Sequence, residues 1–495
     1  MRTPRRRVVL GLGTGVTAAL LVVVRLGLLT GSVLGAEDNG DGRRLYCGVG
    51  LVPRTVDGLG AWKAGYVTEF TAGPATCGLS TPSSAALVLR GASLGRDALS
   101  LGTVGWWYAV LVGAVVGLAA WAASAVRARR AAVLVVPVAP LVLGAFTRFF
   151  VSTYGEPAGL LGTLAVGCGV ATLLVTRPAD QRARAVAVLL TGAGGAVAAA
   201  AKPAYVPVLV VAVLVCLAAA VGRRRPRRVV GPVVAGLAVL AAAGPVWGAV
   251  RFQDTVYEGA NVHDVVFTLA LPELGPDGPD ALGLPPEAAA AAGNGYFNGP
   301  PHPDAAWWER AVREQPDATR AAALGALVRE PGTAMRALGV GLQATTRADL
   351  PYLAPGPADP ARPSPPAGDP GWSGARQPDL RLVLDGTDRP PWLPSVLVLL
   401  ALGAAVSSLG WGRRAPAVAR WCRAAGLGAV TTLGLVAAAL VGDGYFELFK
   451  HVWLAAYVLG VTALCLVGAA GAVPAHLLGH RIGLGSTPTR SGPFE

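Results

Sequence analysis

The stretch "LGTVGWWYAVLVGAVVGLAAWAASAVRARR", residues 101–130, is a long apolar run that ends in a cluster of arginines. A helix needs about 20 apolar residues to cross roughly 30 Å of hydrocarbon, and no charged residue interrupts this run before Arg127. Similar runs recur along the chain of 495 residues, of which 53% are hydrophobic and only 14% charged. The sequence therefore predicts an all-α polytopic membrane protein.

Ten segments have the length and composition of membrane spans. We place them near 8–34, 104–126, 131–150, 157–176, 185–201, 204–222, 229–249, 393–411, 424–441 and 452–472. Two of them are supported least, because 185–201 consists mainly of Gly, Ala and Val and 131–150 contains two prolines. The first run is longer than the ~7–15-residue core of a secretory signal, which favours an uncleaved helix over a cleaved leader.

The net charge of +13 comes largely from short arginine clusters beside the apolar segments. They are "RTPRRR" (2–7), "RARR" (127–130), "RPADQRAR" (177–184), "RRRPRR" (223–228) and "RRAPAVARWCR" (413–423). Arginines that flank alternate spans are typical of cytoplasmic loops, whereas a nucleic-acid surface carries them on a soluble domain. We therefore expect a multi-pass plasma-membrane protein in contact with membrane lipids, with both termini in the cytoplasm and no nucleic-acid partner.

This topology predicts six parts of the chain. They are a first span at 1–34, a first outer loop at 35–103, spans two to seven at 104–249, a large outer loop at 250–392, spans eight to ten at 393–472 and a cytoplasmic tail at 473–495. The large loop has the pattern of short helices separated by Pro and Gly, with a proline-rich linker at 353–380. We expect its two histidines, His263 and His302, at the loop surface rather than as metal ligands.

Ionisable residues gather in the outer loops beside apolar flanks. "GAEDNGDGRRLY" (35–46) contains Glu37, Asp38 and Asp41 and then two arginines, and Asn-Gly and Asp-Gly pairs there are also typical of an ordinary exposed turn. The later turns add Arg148, Glu156, Lys202, Asp443, Glu447, Lys450 and His451. Charges held between helices at a membrane boundary indicate a functional site.

The chemistry of these groups suits a phosphorylated lipid. Carboxylates can act as a general base or bind a divalent cation, and Arg and Lys can hold phosphate oxygens. The cysteines add one structural possibility, because Cys47 and Cys77 share the first outer loop, where oxidising conditions permit a disulfide. Both a bridge and two separate thiols are compatible with the sequence.

The layout resembles the GT-C class of membrane glycosyltransferases. More narrowly, "EDNGDGRRL" (37–45) and "GDGYFELFKHVWL" (442–454) resemble the WsfD-like glycan-biosynthesis hexose transferases of actinobacteria and bacilli. The resemblance implies inverting transfer of a hexose from a polyprenyl-phosphate donor to a cell-envelope glycan or lipid acceptor on the extracytoplasmic side. The Ala, Val, Gly and Arg bias of the chain is typical of a high-GC actinobacterium.

The resemblance also implies roles for particular residues. Asp38 and Asp41, with Glu37 as a third candidate, would supply the catalytic base or the ligands of a divalent cation, Mg²⁺ or Mn²⁺. The basic residues of the outer loops would hold the donor phosphate; they are Arg43, Arg44, Arg148, Lys202, Lys450 and His451.

Two other classes of function are compatible with this sequence. A transporter or flippase of a lipid-linked glycan or an anion could line its pathway with Arg25 and Lys202, but transporters commonly contain internal repeats, and none is detectable. A non-catalytic protein of envelope assembly would tolerate substitution at every outer acid, which an enzyme would not.

Overall fold

The computed structural model describes residues 4–30, 42–53, 69–73, 80–124, 128–219, 229–298, 305–346, 390–412 and 414–483. Glu37, Asp38, Asp41, Cys77, His302 and the linker 353–380 lie outside these residues, so the predictions that involve them stay predictions.

Nine long helices of the described ranges, which we number in chain order, form the bundle. They are α1 Pro4–Leu26, α2 Leu101–Ala123, α3 Glu156–Val175, α4 Gln181–Ala201, α5 Val206–Ala218, α6 Val230–Val256, α7 Leu393–Trp411, α8 Pro416–Asp443 and α9 Trp453–Gly483. Within the described part of the chain, eight are long and apolar enough to cross a membrane, and α5 is the shorter one. The prediction of an all-α polytopic membrane protein is confirmed, although α6 and α9 run beyond the predicted ends of their spans.

The segment 128–150, which contains the predicted span 131–150, is bent as in a broken span or a re-entrant loop. It consists of Ala128–Leu134, Val135–Val138, Ala139–Val142, Gly144–Thr147 and Arg148–Phe150, with a bend of 82° after Val142. Pro137 and Pro140 lack the N–H donors that a regular helix requires. Arg130 at its start donates to the Val175 carbonyl at the end of α3, and its other end leads through 151–155 into the start of α3. The segment therefore runs antiparallel to α3 over the same length.

Pairs of glycines bring neighbouring helices close together. Gly11 and Gly15 of α1 face Gly117 and Gly113 of α2, and a Cβ on Gly15 would lie 2.6 Å from the Gly113 carbonyl oxygen. In lipid, apolar side chains gain little by leaving the tails, so close backbone approach at small residues supplies much of the helix association.

The ends of the helices define two sides of the bundle. The end where α4, α6 and α8 terminate also carries the large loop, and we call it the loop end. The loop is helical, as predicted; its elements are Glu258–His263, the π-helix Asp264–Ala270, Leu271–Leu274, Gly275–Asp277, Gly278–Ala281, Pro286–Ala291, Tyr296–Asn298, Ala306–Glu309, the π-helix Arg310–Glu314, Pro316–Arg329 and Pro331–Ala344.

A small antiparallel sheet in the first loop adds to the helical architecture. Its strands are β1 Leu51–Pro53, β2 Glu69–Ala72 and β3 Ala98–Ser100, in the order β1-β2-β3, with Val52 opposite Thr71 and Phe70 opposite Leu99. The helices Arg43–Tyr46, Cys47–Val49 and Ala85–Ser93 accompany it. The Tyr46 ring packs on buried Phe70 with centroids 5.1 Å apart, and Cys47 is disulfide-bonded. These contacts hold the short helix that contains Arg43 and Arg44 in place.

We expect that Gly15→Ala lowers the free energy of unfolding in detergent by about 1–3 kcal/mol, because the added methyl group meets the α2 backbone. Gly13→Ala is the matched control, since a Cβ there has no heavy atom within 4 Å. Equal melting temperatures for the two variants would contradict this account of the α1–α2 contact.

Candidate active site at the loop end of the bundle

A cavity of about 750 Å³ lies at the loop end, between the ends of α4, α6 and α8 and the large loop. Its volume is typical of sites that hold small molecules. Its basic and histidine side chains are Arg43, Arg44, Lys202, Arg320, Lys450 and His451, and its acidic side chains are Asp254, Asp264, Asp443 and Glu447. Residues from four distant parts of the sequence thus share one polar cavity.

Five of the six predicted phosphate-binding residues line this cavity, and Arg148 is the exception. Arg148 is only 5% exposed and lies in the short helix Arg148–Phe150, just before α3. Arg148 therefore lies at this end of the bundle without lining the cavity.

Lys202 and His451 belong to one chain of polar contacts. The Lys202 Nζ lies 3.3 Å from Glu156 Oε1 and 3.5 Å from His451 Nδ1, which in turn lies 3.2 Å from Asp443 Oδ2. Burial lowers the pKa of His451; the Asp443 carboxylate opposes this shift and Lys202 and Lys450 reinforce it. The lowered pKa favours the neutral ring of His451 at pH 7, so this residue is less suited than an arginine or lysine to supply a fixed positive charge.

The two basic residues at 450 and 44 are held differently. Lys450 is buried, at 3% exposure; its Nζ lies 3.3 Å from Glu447 Oε2 and 5.8 Å from the centroid of the Tyr154 ring. The Arg44 guanidinium lies over the Tyr257 ring, 4.2 Å from its centroid. The charge of Lys450 is thus balanced by Glu447, and Arg44 lines the cavity while stacked on an aromatic ring.

A smaller pocket of about 70 Å³ adjoins the cavity at the start of α3. It shares Arg44, Lys202 and Gln253 with the cavity, and Thr81, Ser83, Thr153 and Glu156 also line it. Hydroxyl groups and two cations beside a helix N-terminus are an arrangement that favours an anion.

The turn 443–447 is fastened to the π-helix Asp264–Ala270. Tyr445 donates its N–H to Thr268 Oγ1 at 2.8 Å, and Thr268 donates to the Asp264 carbonyl at 2.6 Å. Gly444 has φ 59°, and a Cβ there would collide with the Asp264 carbonyl oxygen. Glu447 also has a positive φ, 43°, although it is not glycine; strained backbone of this kind is common at functional sites.

Asp264 is an acid of this cavity that sequence reasoning missed. Its Oδ1 accepts the Tyr296 N–H at 2.7 Å. Burial raises the pKa of Asp264 to about 7, the Tyr296 N–H opposes this shift, and the neighbouring carboxylates of Asp443 and Glu447 reinforce it. A signal was present, since Asp264 is the one acid within the apolar stretch "VHDVVFTLAL" (262–271).

The expectation for His263 is wrong, because this side chain is fully buried. Trp308 Nε1 donates to its Nδ1 at 3.1 Å, and its Nε2 lies 3.0 Å from the Asn294 carbonyl oxygen, to which it donates. Burial lowers the pKa of His263 to about 4. The neutral ring therefore joins three segments of the large loop beneath the cavity.

No group of three or more His, Cys, Asp or Glu in the described ranges is arranged to hold a metal ion. The predicted metal ligands Asp38 and Asp41 are outside those ranges, so the divalent cation stays a prediction. Of the cysteines in the described part of the chain, Cys168, Cys216, Cys422 and Cys465 are free thiols.

The fold and the cavity define a multi-pass membrane protein with a polar site at the ends of its helices. The sequence model of the YfdI N-terminal transmembrane domain matches residues 7–345, and the chain belongs to this family of GT-C-like membrane glycosyltransferases. The match includes the cavity residues from Arg43 to Arg320. No curated protein and no solved structure matches the chain.

We expect that Gly444→Ala destabilises the protein by about 1–3 kcal/mol and loosens the cavity, because alanine disfavours this φ and its methyl group meets the Asp264 carbonyl. The matched control is Gly442→Ala, where a Cβ meets nothing within 4 Å. Melting temperatures in detergent measure the effect; a stable Gly444→Ala variant would show that the turn is not fastened in this way.

Proposed function

We propose that this protein is an inverting hexosyltransferase that takes its sugar from a polyprenyl-phosphate donor. Its acceptor is a cell-envelope glycan or lipid on the extracytoplasmic side of the plasma membrane. The N- and C-termini are in the cytoplasm, and the reaction is of the kind that the resemblance to the WsfD-like hexose transferases of actinobacteria and bacilli implies. Family membership supports the class of reaction, and the cavity supports the type of donor.

The observation that carries the proposal is the convergence of Arg43, Arg44, Lys202 and Arg320 on one cavity at the helix ends. A lipid phosphate requires positive charge at the level where the head group leaves the hydrocarbon. Val250 of α6 and Ala438 and Val441 of α8 supply an apolar wall on the membrane side of the same cavity. The cavity therefore combines the two surfaces that a lipid-linked donor needs.

The phosphate of the donor is best accommodated where the cavity meets the smaller pocket. Arg44 and Lys202 line both spaces. Lys202 is paired with Glu156 as Lys450 is with Glu447, but the Lys202 side chain is 23% exposed, against 3% for Lys450. Arg can bind phosphate oxygens in a bidentate manner, and Lys acts as a point charge. Arg44 and Lys202 are thus the main phosphate ligands of this proposal.

The transfer itself is a single displacement. A carboxylate takes the proton of the acceptor hydroxyl, the hydroxyl oxygen attacks the anomeric carbon, and the bond from that carbon to the phosphate oxygen breaks. The electron pair of that bond remains on the phosphate, where the cations stabilise the developing charge. Attack from the face opposite the phosphate inverts the anomeric configuration.

The first-loop acids Glu37, Asp38 and Asp41 are the proposed source of the catalytic base or of the ligands of a divalent cation. Asp41 stands two residues before Arg43 in the sequence, and Arg43 lines the cavity, which supports a role for Glu37, Asp38 and Asp41 beside the sugar phosphate. If Mg²⁺ or Mn²⁺ binds, Asp38 and Asp41 are its proposed ligands. The acceptor would enter past the large loop, which forms the opposite wall.

We expect Asp38→Asn and Asp41→Asn each to abolish transfer from polyprenyl-phosphate hexoses to a crude envelope-glycan acceptor, without affecting membrane insertion. The assay uses purified protein in detergent, with Asp280→Asn as a control, because Asp280 is an exposed acid outside the cavity. Full activity of both Asp38→Asn and Asp41→Asn would show that neither carboxylate takes part in the transfer. No turnover by the wild type, together with lipid flux in liposomes, would favour the transporter.

We expect Lys202→Gln to lower kcat/KM for the donor about 10–150-fold, the equivalent of about 1.5–3 kcal/mol for a hydrogen bond to a charged group. Arg329→Gln is the control for loss of one positive charge, since Arg329 is exposed and lies outside the cavity. A Lys202→Gln enzyme with unchanged donor kinetics would contradict the phosphate role of Lys202.

A further inference from the structure

We propose that Asp264 is the general base that takes the proton of the acceptor hydroxyl. This inference rests on the proposed glycosyl transfer and assigns the proton acceptor to the large loop rather than to the first outer loop. The acids of the first loop then act only on the donor side of the reaction.

The geometry of Asp264 leaves one carboxyl oxygen available to a substrate. The residue lines the cavity although it is only 3% exposed. Oδ1 is fixed by the Tyr296 N–H at 2.7 Å, whereas Oδ2 has no hydrogen-bond partner in the part of the chain that the structure describes. A general base must be held in a fixed orientation and must also be accessible to the substrate. The hydrogen bond to Oδ1 orients the carboxyl group, and Oδ2 is the oxygen that a substrate can reach.

The other acids of the cavity are less suited to this role. Asp443 accepts the hydrogen bond of His451, and Glu447 is paired with Lys450. Asp254 is exposed at the end of α6. Among the described acids of the cavity, Asp264 is therefore the one that is buried and is not paired with a basic side chain.

The backbone around Asp264 is held from two sides. Thr268 Oγ1 donates to the Asp264 carbonyl oxygen, and Gly444 lies so close to this oxygen that a Cβ would collide with it. The residue before Asp264, neutral His263, is hydrogen-bonded to Trp308 and Asn294. The residue begins a π-helix, an element that is frequent at functional sites. A fixed backbone keeps the carboxyl group in one place while substrates enter and leave.

The charges around Asp264 suit a base that works near neutral pH. Burial raises its pKa to about 7, and Asp443 and Glu447 add to this shift. Lys450 is paired with Glu447, and His451 contacts Asp443. The other charged groups around the cavity are Arg43, Arg44, Lys202, Asp254 and Arg320. General base catalysis is most efficient when the pKa of the base lies near the operating pH.

The proton balance of the reaction is complete within this site. Asp264 Oδ2 takes the hydroxyl proton as the acceptor oxygen bonds to the anomeric carbon and the phosphate leaves with the electron pair of the broken bond. Protonated Asp264 then returns its proton to water after the product leaves, which restores the carboxylate.

The first experiment is transfer by Asp264→Asn protein, with Asp280→Asn as control. The amide oxygen of asparagine can still accept the Tyr296 N–H, so we expect an unchanged melting temperature and unchanged donor affinity, but at least a ~100-fold loss of transfer. A folded Asp264→Asn variant that transfers sugar normally would overturn the inference and leave the proposed function intact. A wild type without transfer would instead refute the proposed function.

The second experiment needs only the wild-type protein. We expect kcat/KM for the acceptor to rise with pH through a midpoint near 7, and an infrared carboxylic-acid band to disappear over the same pH range. That band should be missing from Asp264→Asn and present in Asp280→Asn. A midpoint near 4, or a titrating band that persists in Asp264→Asn, would show that another acid is the base.

Discussion

The cost of placing charge in hydrocarbon determines where this protein can carry out chemistry. An ionisable group within the bilayer is expensive unless it is paired or reaches a polar cavity, and the spans of this chain are almost free of such groups. Its charged side chains consequently lie where helices end. At the loop end these include Glu156 at the start of α3, Lys202 after α4 and Asp443 at the end of α8, so the helix packing itself assembles the site.

The close contacts between helices and the contacts between loops together hold the cavity in one arrangement. Glycine pairs such as Gly15 with Gly113 let the helices approach within the membrane. At the loop end, Tyr445 and Gly444 join the turn after α8 to the π-helix of the large loop. The sheet in the first loop and the Tyr46–Phe70 contact hold Arg43 and Arg44 against the same cavity. Three loops are thereby fixed around one volume.

Residues of the same type in this cavity differ in their burial and in their partners. Lys202 and Lys450 are both paired with a glutamate at the membrane boundary, but Lys450 is 3% exposed, while Lys202 is 23% exposed and lies between two connected pockets. Asp443 and Asp264 are both cavity acids, but Asp443 contacts His451, whereas Asp264 accepts the Tyr296 N–H and has no basic side chain as hydrogen-bond partner in the described part of the chain. These differences separate groups that shape the site from groups that can contact a substrate.

The sequence by itself determined the membrane class, the positions of nearly all the helices and the end of the bundle where the charges gather, because length, hydropathy and charge are local properties. It correctly grouped Arg43, Lys202 and Lys450, which are 407 residues apart at most in the chain. Only the tertiary structure decided that the segment 128–150 is bent, that Arg148 lies outside the cavity, that His263 is buried and that Asp264 lines the cavity. Those outcomes depend on which side chains surround a residue, and local sequence does not specify such long-range neighbours.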